Sequence, residues 1–298
     1  MKNKAIIITG PTASGKSGFA HELARRINGA IINCDSVQIY RGIENISASP
    51  FAGTNLSDEL DGVPYRLFSI LPLNEHISVA DYVNLARGAM NEVISMGRIP
   101  IFVGGTGYYI NVLLNGISAI PEISEDVRKR ARDMVKKDID SVQKMLPNDF
   151  AKTDPQRTAR ALEVFLETGK SLSEWQKQPR SGALINDAFK ILILPKREVL
   201  LERIASRIPE MINGGALEEA KGIIENNLDE TRAIGAAQLC KMLRGELSEQ
   251  EAIQNWITKT NQYAKRQRTW FRGQYDADFI IDHVPTVDDI KTVMNFVE

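Results

Sequence analysis

Cysteine is scarce in this chain of 298 residues, with only Cys34 and Cys240, far apart in sequence. That excludes a cysteine-ligated zinc module and a disulfide-stapled scaffold, and it reads as two buried thiols in a reducing compartment. Net charge is lacking too, since 37 Lys and Arg against 38 Asp and Glu leave -1. No global cationic surface exists to meet a polyanion, so any nucleic-acid contact must come from a local patch. Long apolar runs are absent: Ala5 to Ile8 is far shorter than a signal-peptide core, and no later run reaches transmembrane length. The expectation is a cytoplasmic protein with no membrane partner. Internal repeats and low-complexity tracts are missing as well. What is present is a hydrophobic content of 43%, enough for a substantial core with or without a smaller second domain.

AIIIT (Ala5 to Thr9) is a β-rich apolar run bounded by Gly-Pro, which reads as a buried strand entering a tight turn. A helix follows, carrying Phe19, Ala20, Leu23, Ala24 and Ile27 at helical spacing, with Gly29 as its stop. AIIN (Ala30 to Asn33) is a second strand that delivers Cys34, Asp35 and Ser36 at its carboxyl end. Further strands are expected at RLFSI (Arg66 to Ile70), PIFVG (Pro100 to Gly104), KILIL (Lys190 to Leu194) and DFIID (Asp278 to Asp282). Helical patterns separate most of them, which predicts an α/β fold whose mainly parallel sheet is flanked by helices, like that of the P-loop NTPases. Between PIFVG and KILIL the sequence shows no strand-like run, only a charged segment with helical periodicity between NGISAIP and QPRSGA. We read 116–183 as an inserted helical subdomain, with 1–115 and 184–298 forming the catalytic core.

GPTASGKS, from Gly10 to Ser17, fits the pattern G-x-x-x-x-G-K-S/T between a strand and a helix. Glycines let the backbone curl so that the N–H groups of Gly10, Pro11's neighbour Thr12, Ala13, Ser14 and Gly15 converge on phosphate oxygens, Lys16 neutralises charge, and the Ser17 hydroxyl can ligate Mg²⁺. A random match in a chain of this length has a probability on the order of 1%. Taken alone, the loop suggests ATP or GTP. Yet a nucleotide hydrolase usually has a later strand ending in an Asp that supports Mg²⁺, and the later strand here ends in GGTG, with Thr106 placed as a phosphate contact.

GPTASGKS, DSVQIYRG, RIPIFVGGTGYY, TDPQRTARALEV and KRQRTWFR occur in this order. Together they resemble the tRNA dimethylallyltransferases (isopentenyltransferases) of the bacterial type, over nearly the whole chain. The resemblance implies transfer of a dimethylallyl group from dimethylallyl diphosphate to N6 of adenosine 37 in the tRNA anticodon stem-loop. Gly10, Pro11, Thr12, Ala13, Ser14, Gly15, Lys16 and Ser17 would then hold the leaving diphosphate with Mg²⁺, helped by Arg207. Asp35 would be the base that takes the N6 proton, and Thr106 would bridge substrate and diphosphate. Ser36, Val37 and Gln38 would line the tRNA pocket beside Asp35. From the insertion, Arg128 and the run Gln156, Arg157, Thr158, Ala159, Arg160 would meet tRNA, and from the core Arg232 would do so.

Ala252 to Tyr275 contains no acidic residue and interleaves basic with aromatic side chains. We read the aromatics as core and the cations as RNA contacts, and by resemblance Lys265, Arg266, Gln267, Arg268 and Arg272 form the family's tRNA-contacting segment. Against the family pattern, Ile46 and Ser49 replace a Gly and a Lys, Ser69 stands for an Asp, and Ala236 for a Tyr. No cysteine and histidine spacing supports the zinc finger of the eukaryotic form. Three other readings stay open at this point: a P-loop kinase of a nucleotide or small metabolite, prenyl transfer to free adenine nucleotides, and a non-catalytic RNA-binding module. The chain is expected to act as a monomer.

Overall fold

A computed structural model describes residues 5–54, 57–147 and 154–297. The elements run in order as β1 (Ala5–Thr9), α1 (Lys16–Arg26), β2 (Gly29–Asn33), β3 (Glu59–Leu60), β4 (Val63–Arg66), α2 (Val79–Ser95), β5 (Ile99–Gly104) and α3 (Gly107–Asn115). Next come β6 (Ile117–Ser118), α4 (Glu125–Lys137), α5 (Ile139–Met145), α6 (Pro155–Thr168), α7 (Leu172–Lys177) and β7 (Arg180–Ser181). The remainder is β8 (Ala188–Ile193), α8 (Arg197–Met211), a wide π-helical turn (Ile212–Ala216), α9 (Leu217–Glu225), α10 (Ala236–Leu243), α11 (Glu249–Gln274), β9 (Phe279–Ile281) and α12 (Val287–Val297). The chain divides into two compact units, Met1–Asn111 with Ile185–Glu298, and Val112–Leu184.

In the larger unit the strands are ordered β3-β4-β2-β5-β1-β8-β9, parallel throughout except for the β3-β4 hairpin. β1 and β2 are buried along their whole lengths, because helices cover both faces of a parallel sheet and a continuous apolar run is then the stable composition. On one face Ile6, Ile8, Ile31, Ile101, Val103, Ile191 and Ile193 pack with Phe19 and Leu23 of α1 and with Ile290 and Val293 of α12. Chain order and spatial order differ at the centre. The chain leaves β1 for β2, and β5 later inserts between them, in register through Thr9 opposite Gly104 and Asn33 opposite Val103. The carboxyl ends of β1, β5 and β2 therefore lie side by side on one edge of the sheet, where ligands bind in such folds.

Two expectations for the core need correction. The strand expected at RLFSI is β4, Val63–Arg66, which ends where RLFSI begins. Leu67 and Ser69 adopt left-handed backbone, with φ of 66° and 51°, and break the ladder. Pro64 disguised the true strand, but pairing with β2 begins at Tyr65, so its missing N–H interrupts nothing. The stop after α1 is Asn28 (φ 53°) and not Gly29, which belongs to β2. Gly29 is needed there for close packing, since a Cβ would lie 2.5 Å from Ile101 Cδ1.

The smaller unit packs α4, α5 and α6 around Ala131, Val135, Val142, Leu146, Ala161 and Leu162. Helix α6 starts at the Asp154 cap with Pro155 in its first turn and stops at Gly169 (φ 69°), which is the sequence logic of a well-bounded helix. Its ends hold a feature the sequence did not reveal, a two-residue antiparallel ladder pairing Ile117 with Ser181 and Ser118 with Arg180. No helix among the described residues is long and apolar enough to cross a membrane.

Candidate active site

A cavity of about 730 Å³ opens at the carboxyl edge of the sheet, lined by Lys16, Asp35, Gln38, Arg207 and Tyr263 among others. The turn from β1 to α1 supplies one end of it. Gly15 takes φ 93° as the residue before α1, and a Ser14 N–H to Pro11 carbonyl bond closes the turn. Lys16 Nζ donates to the Pro11 carbonyl at 3.3 Å. Burial pulls its ammonium down to about 8, with the Asp35 carboxylate opposing and Arg207 adding to the shift. Arg207 Nη2 donates to Thr12 Oγ1 at 2.9 Å and Arg203 Nε to the Ala13 carbonyl at 2.8 Å. Arg207 Nε and Ser14 Oγ are buried with no hydrogen-bond partner among the described residues. Orphaned donors around a cationic loop are what an anion site shows before its anion arrives. Ser17 is exposed in the first turn of α1.

Asp35 follows β2 and is fixed by a buried neighbour. Asn33 Oδ1 accepts from the Asp35 N–H at 2.8 Å, while Asn33 Nδ2 donates to the Asp35 carbonyl at 3.0 Å and to the Leu67 carbonyl at 2.9 Å. Asp35 Oδ1 accepts from the Val37 N–H at 2.9 Å, which leaves the second carboxylate oxygen for a substrate. Thr106 Oγ1 accepts from the Ser36 N–H at 2.9 Å and donates to Ser36 Oγ at 3.2 Å. Together these bonds tie the ends of β2 and β5 into one hydroxyl-bearing ledge beside Asp35.

The first two glycines of GGTG serve close packing. A Cβ on Gly104 would lie 2.0 Å from the Cys34 carbonyl oxygen, and one on Gly105 would lie 2.3 Å from Gln267 Nε2. They let neighbouring segments close up, and Thr106 of this run bonds to Ser36, which lines the cavity. No carboxylate could stand at Gly104, which explains why the Mg²⁺-supporting Asp of nucleotide hydrolases is missing there.

Several residues expected to face RNA are occupied otherwise. Gln267 is buried, accepting from the Thr12 N–H at 2.8 Å and donating to the Gly105 carbonyl at 2.9 Å, so it clamps the phosphate loop to β5. Arg232 donates to the Leu73 and Glu75 carbonyls and to Tyr40 Oη, and it stacks on the Tyr40 ring. These bonds hold its guanidinium to the core while Arg232 also lines the cavity. Arg268 donates to the Pro195 carbonyl. Thr158 and Ala159 are buried inside the smaller unit, where Thr158 Oγ1 donates to the Asp154 carbonyl. By contrast Lys265, Arg266 and Arg272 of α11 are exposed, as are Gln156 and Arg157 of α6. Arg128 and Arg160 are half-buried and lie beside Glu125 and Glu163. Ser36, Val37 and Gln38 line the cavity with Asp35.

Sequence reasoning missed Tyr263, read with the other aromatics as core. Its hydroxyl faces Thr106 and Asp35, and burial together with the Asp35 charge pushes the phenol well up, keeping it a neutral donor. It also missed Glu219, a residue outside the cavity that fixes one wall of it. Glu219 Oε1 accepts from the Asn45 N–H (2.7 Å) and Asn45 Nδ2 (2.8 Å), and Oε2 from the Ile46 N–H (2.8 Å). Gln38 Nε2 holds the same segment from the other side, donating to the Ser47 and Ala48 carbonyls. Ile46, Ser47 and Ala48 are cavity wall. Replacing Glu219 by Ala is expected to lower unfolding free energy by about 2 kcal/mol, the scale of hydrogen bonds to a charged group. Urea denaturation checks it, and unchanged stability would remove Glu219 as the anchor.

A family model described as IPP transferase matches residues 38–274. The tRNA dimethylallyltransferase of Agrobacterium fabrum is 40% identical over 296 residues, covering 92% of this chain and 95% of that protein. Among solved structures, the full-length tRNA isopentenylpyrophosphate transferase of Bacillus halodurans superposes with a TM-score of 0.70 at 31% identity, over 99% of this chain and 96% of that one. A eukaryotic dimethylallyltransferase acting on tRNA superposes with a TM-score of 0.78 at 25% identity, covering 99% of this chain and 78% of that one. With the β1–α1 loop and Asp35 converging on one cavity, and with relatives matched along almost the full length, this chain belongs to the IPP transferase family.

Proposed function

We propose that the protein transfers a dimethylallyl group from dimethylallyl diphosphate to N6 of adenosine 37 in the anticodon stem-loop of tRNA. The observation that carries this is the meeting of an anion-gripping loop with a fixed carboxylate, Asp35, in one cavity. The adenine N6 attacks C1 of the allyl group, the C1–O bond breaks, diphosphate departs, and the N6 proton passes to Asp35. Lys16, Arg207 and the loop amides stabilise the charge that gathers on the leaving oxygens. An adenine N6 is a poor nucleophile because its lone pair is delocalised into the ring, so a carboxylate receiving its proton is useful.

The donor set also fits Mg²⁺. No cluster of three His, Cys, Asp or Glu exists among the described residues, and in this loop motif Mg²⁺ leans on substrate phosphates and water, with the loop Ser hydroxyl as a protein oxygen. Ser17 would supply that oxygen, and the ion would neutralise diphosphate charge. Lys265, Arg266, Arg272 and, in the smaller unit, Gln156 and Arg157 are exposed groups suited to RNA. A kinase reading is less well served, because the strand end that usually carries the Mg²⁺ carboxylate is Gly104.

Incubation with unmodified tRNA, dimethylallyl diphosphate and Mg²⁺, followed by nucleoside mass analysis, tests the reading. The expected product is N6-dimethylallyladenosine at a single position beside the anticodon. Phosphate transfer from ATP without a prenylated nucleoside would overturn it.

A further inference from the structure

One face of α11 forms a graded wall of the cavity. Gln267 touches the phosphate loop and β5, Tyr263 faces Thr106 and Asp35, and Thr260 and Trp256 continue in the direction away from the loop. Thr260 lies three residues from Tyr263, about 4.5 Å along the helix axis. Its Oγ1 is buried and has no hydrogen-bond partner among the described residues, although Thr260 itself lines the cavity and is only 6% exposed. Helical threonines commonly donate to the carbonyl four residues back. Two others in the same helix do so, Thr258 to Gln254 at 2.8 Å and Thr269 to Lys265 at 3.0 Å. Thr260 is the exception, and a buried hydroxyl with nothing to bond weakens the fold unless a ligand completes it.

We propose that the Thr260 hydroxyl donates to a ring nitrogen of the acceptor adenine and thereby sets N6 against Asp35. The inference rests on the prenyl-transfer reading. In adenine N6 is flanked by N1 and N7, so a donor one helical turn from the Asp35 and Tyr263 level can bind the same base edge that presents N6. A base drawn out of a loop is held by hydrogen bonds to its edge and by stacking on flat side chains. Tyr263, one turn from Thr260 on the same cavity wall, offers such a surface. Thr260 is thus a positioning and specificity residue for the purine, with Asp35 as its chemical partner.

The test uses an anticodon stem-loop RNA with adenosine, 7-deazaadenosine or 1-deazaadenosine at the target position. Thr260→Val keeps the shape and removes the donor. It is expected to lower kcat/KM for the adenosine RNA about five- to tenfold, in line with one neutral hydrogen bond, while Thr260→Ser retains activity. Thermal stability of the free Thr260→Val protein should be unchanged or raised, an outcome a merely structural hydroxyl would not give. One of the deaza RNAs should slow the parent protein by a similar factor and slow Thr260→Val no further. Full activity of Thr260→Val, or deaza penalties that persist undiminished in it, would overturn the proposal. Failure of the parent protein to prenylate the adenosine RNA would instead overturn the reading on which it rests.

Discussion

Asp35→Asn is expected to turn over about 10²- to 10⁴-fold more slowly than the parent protein, the usual range for losing a general base. RNA affinity should stay near the parent value. The amide is the informative replacement because Asp35 Oδ1 has a local duty, accepting from the Val37 N–H. Asn can keep that bond through its carbonyl oxygen, so the turn after β2 and the Asn33 contacts behind it survive. What disappears is the capacity to take a proton from N6. Single-turnover prenylation with the protein in excess over the RNA measures the chemical step, and a filter or fluorescence titration measures binding. Parent-like turnover would remove Asp35 as the base. Equal losses in binding and turnover would make it an RNA contact alone.

How much of this site could be read from the sequence depends on whether a residue's role is local. The phosphate loop is local: its glycines, Lys16 and Ser17 act within one strand-turn-helix unit, and the pattern shows it. The position of Asp35 was legible because β2 is a plain apolar run and the residues just after it must fall at the sheet edge. RLFSI misled because buried Leu67 and half-buried Phe68 look like strand residues, while a left-handed backbone, which composition does not reveal, sets their conformation. Gln267, Arg232 and Arg268 were expected at RNA by the family resemblance, which does not show the intramolecular bonds they make. Their partners, Gly105, Glu75 and Pro195, lie far away in sequence, and only the fold brings them close. Tyr263 failed in the opposite direction, since it was read with the other aromatics as core, and periodicity cannot say that this face of the helix borders a cavity.

Lys16→Ala carries the second large expectation, a loss of about 10²- to 10³-fold in kcat/KM for dimethylallyl diphosphate, the scale for removing one preorganised donor to a developing anion. It should come with a distinctive change in pH dependence. Burial holds the Lys16 ammonium at about 8 in the free protein. A bound diphosphate favours the charged form and raises that value, so binding above pH 8 must be accompanied by proton uptake. Affinity for an unreactive alkyl diphosphate, a diphosphate monoester such as isopentyl diphosphate, should accordingly be flat with respect to this group below pH 8. As pH rises above 8, affinity should fall, approaching about tenfold per pH unit where one proton is taken up. The ligand's own terminal ionisation is finished by then, since phosphate groups of this kind titrate near about pH 6. Calorimetric titrations in two buffers of different ionisation enthalpy at pH 9 would count the proton directly. The Lys16→Ala protein should bind more weakly, take up no proton, and lose the downward slope. If the slope persisted in that variant, the titrating group would be some other residue of the cavity, and Lys16 would not be the cation that receives the leaving group.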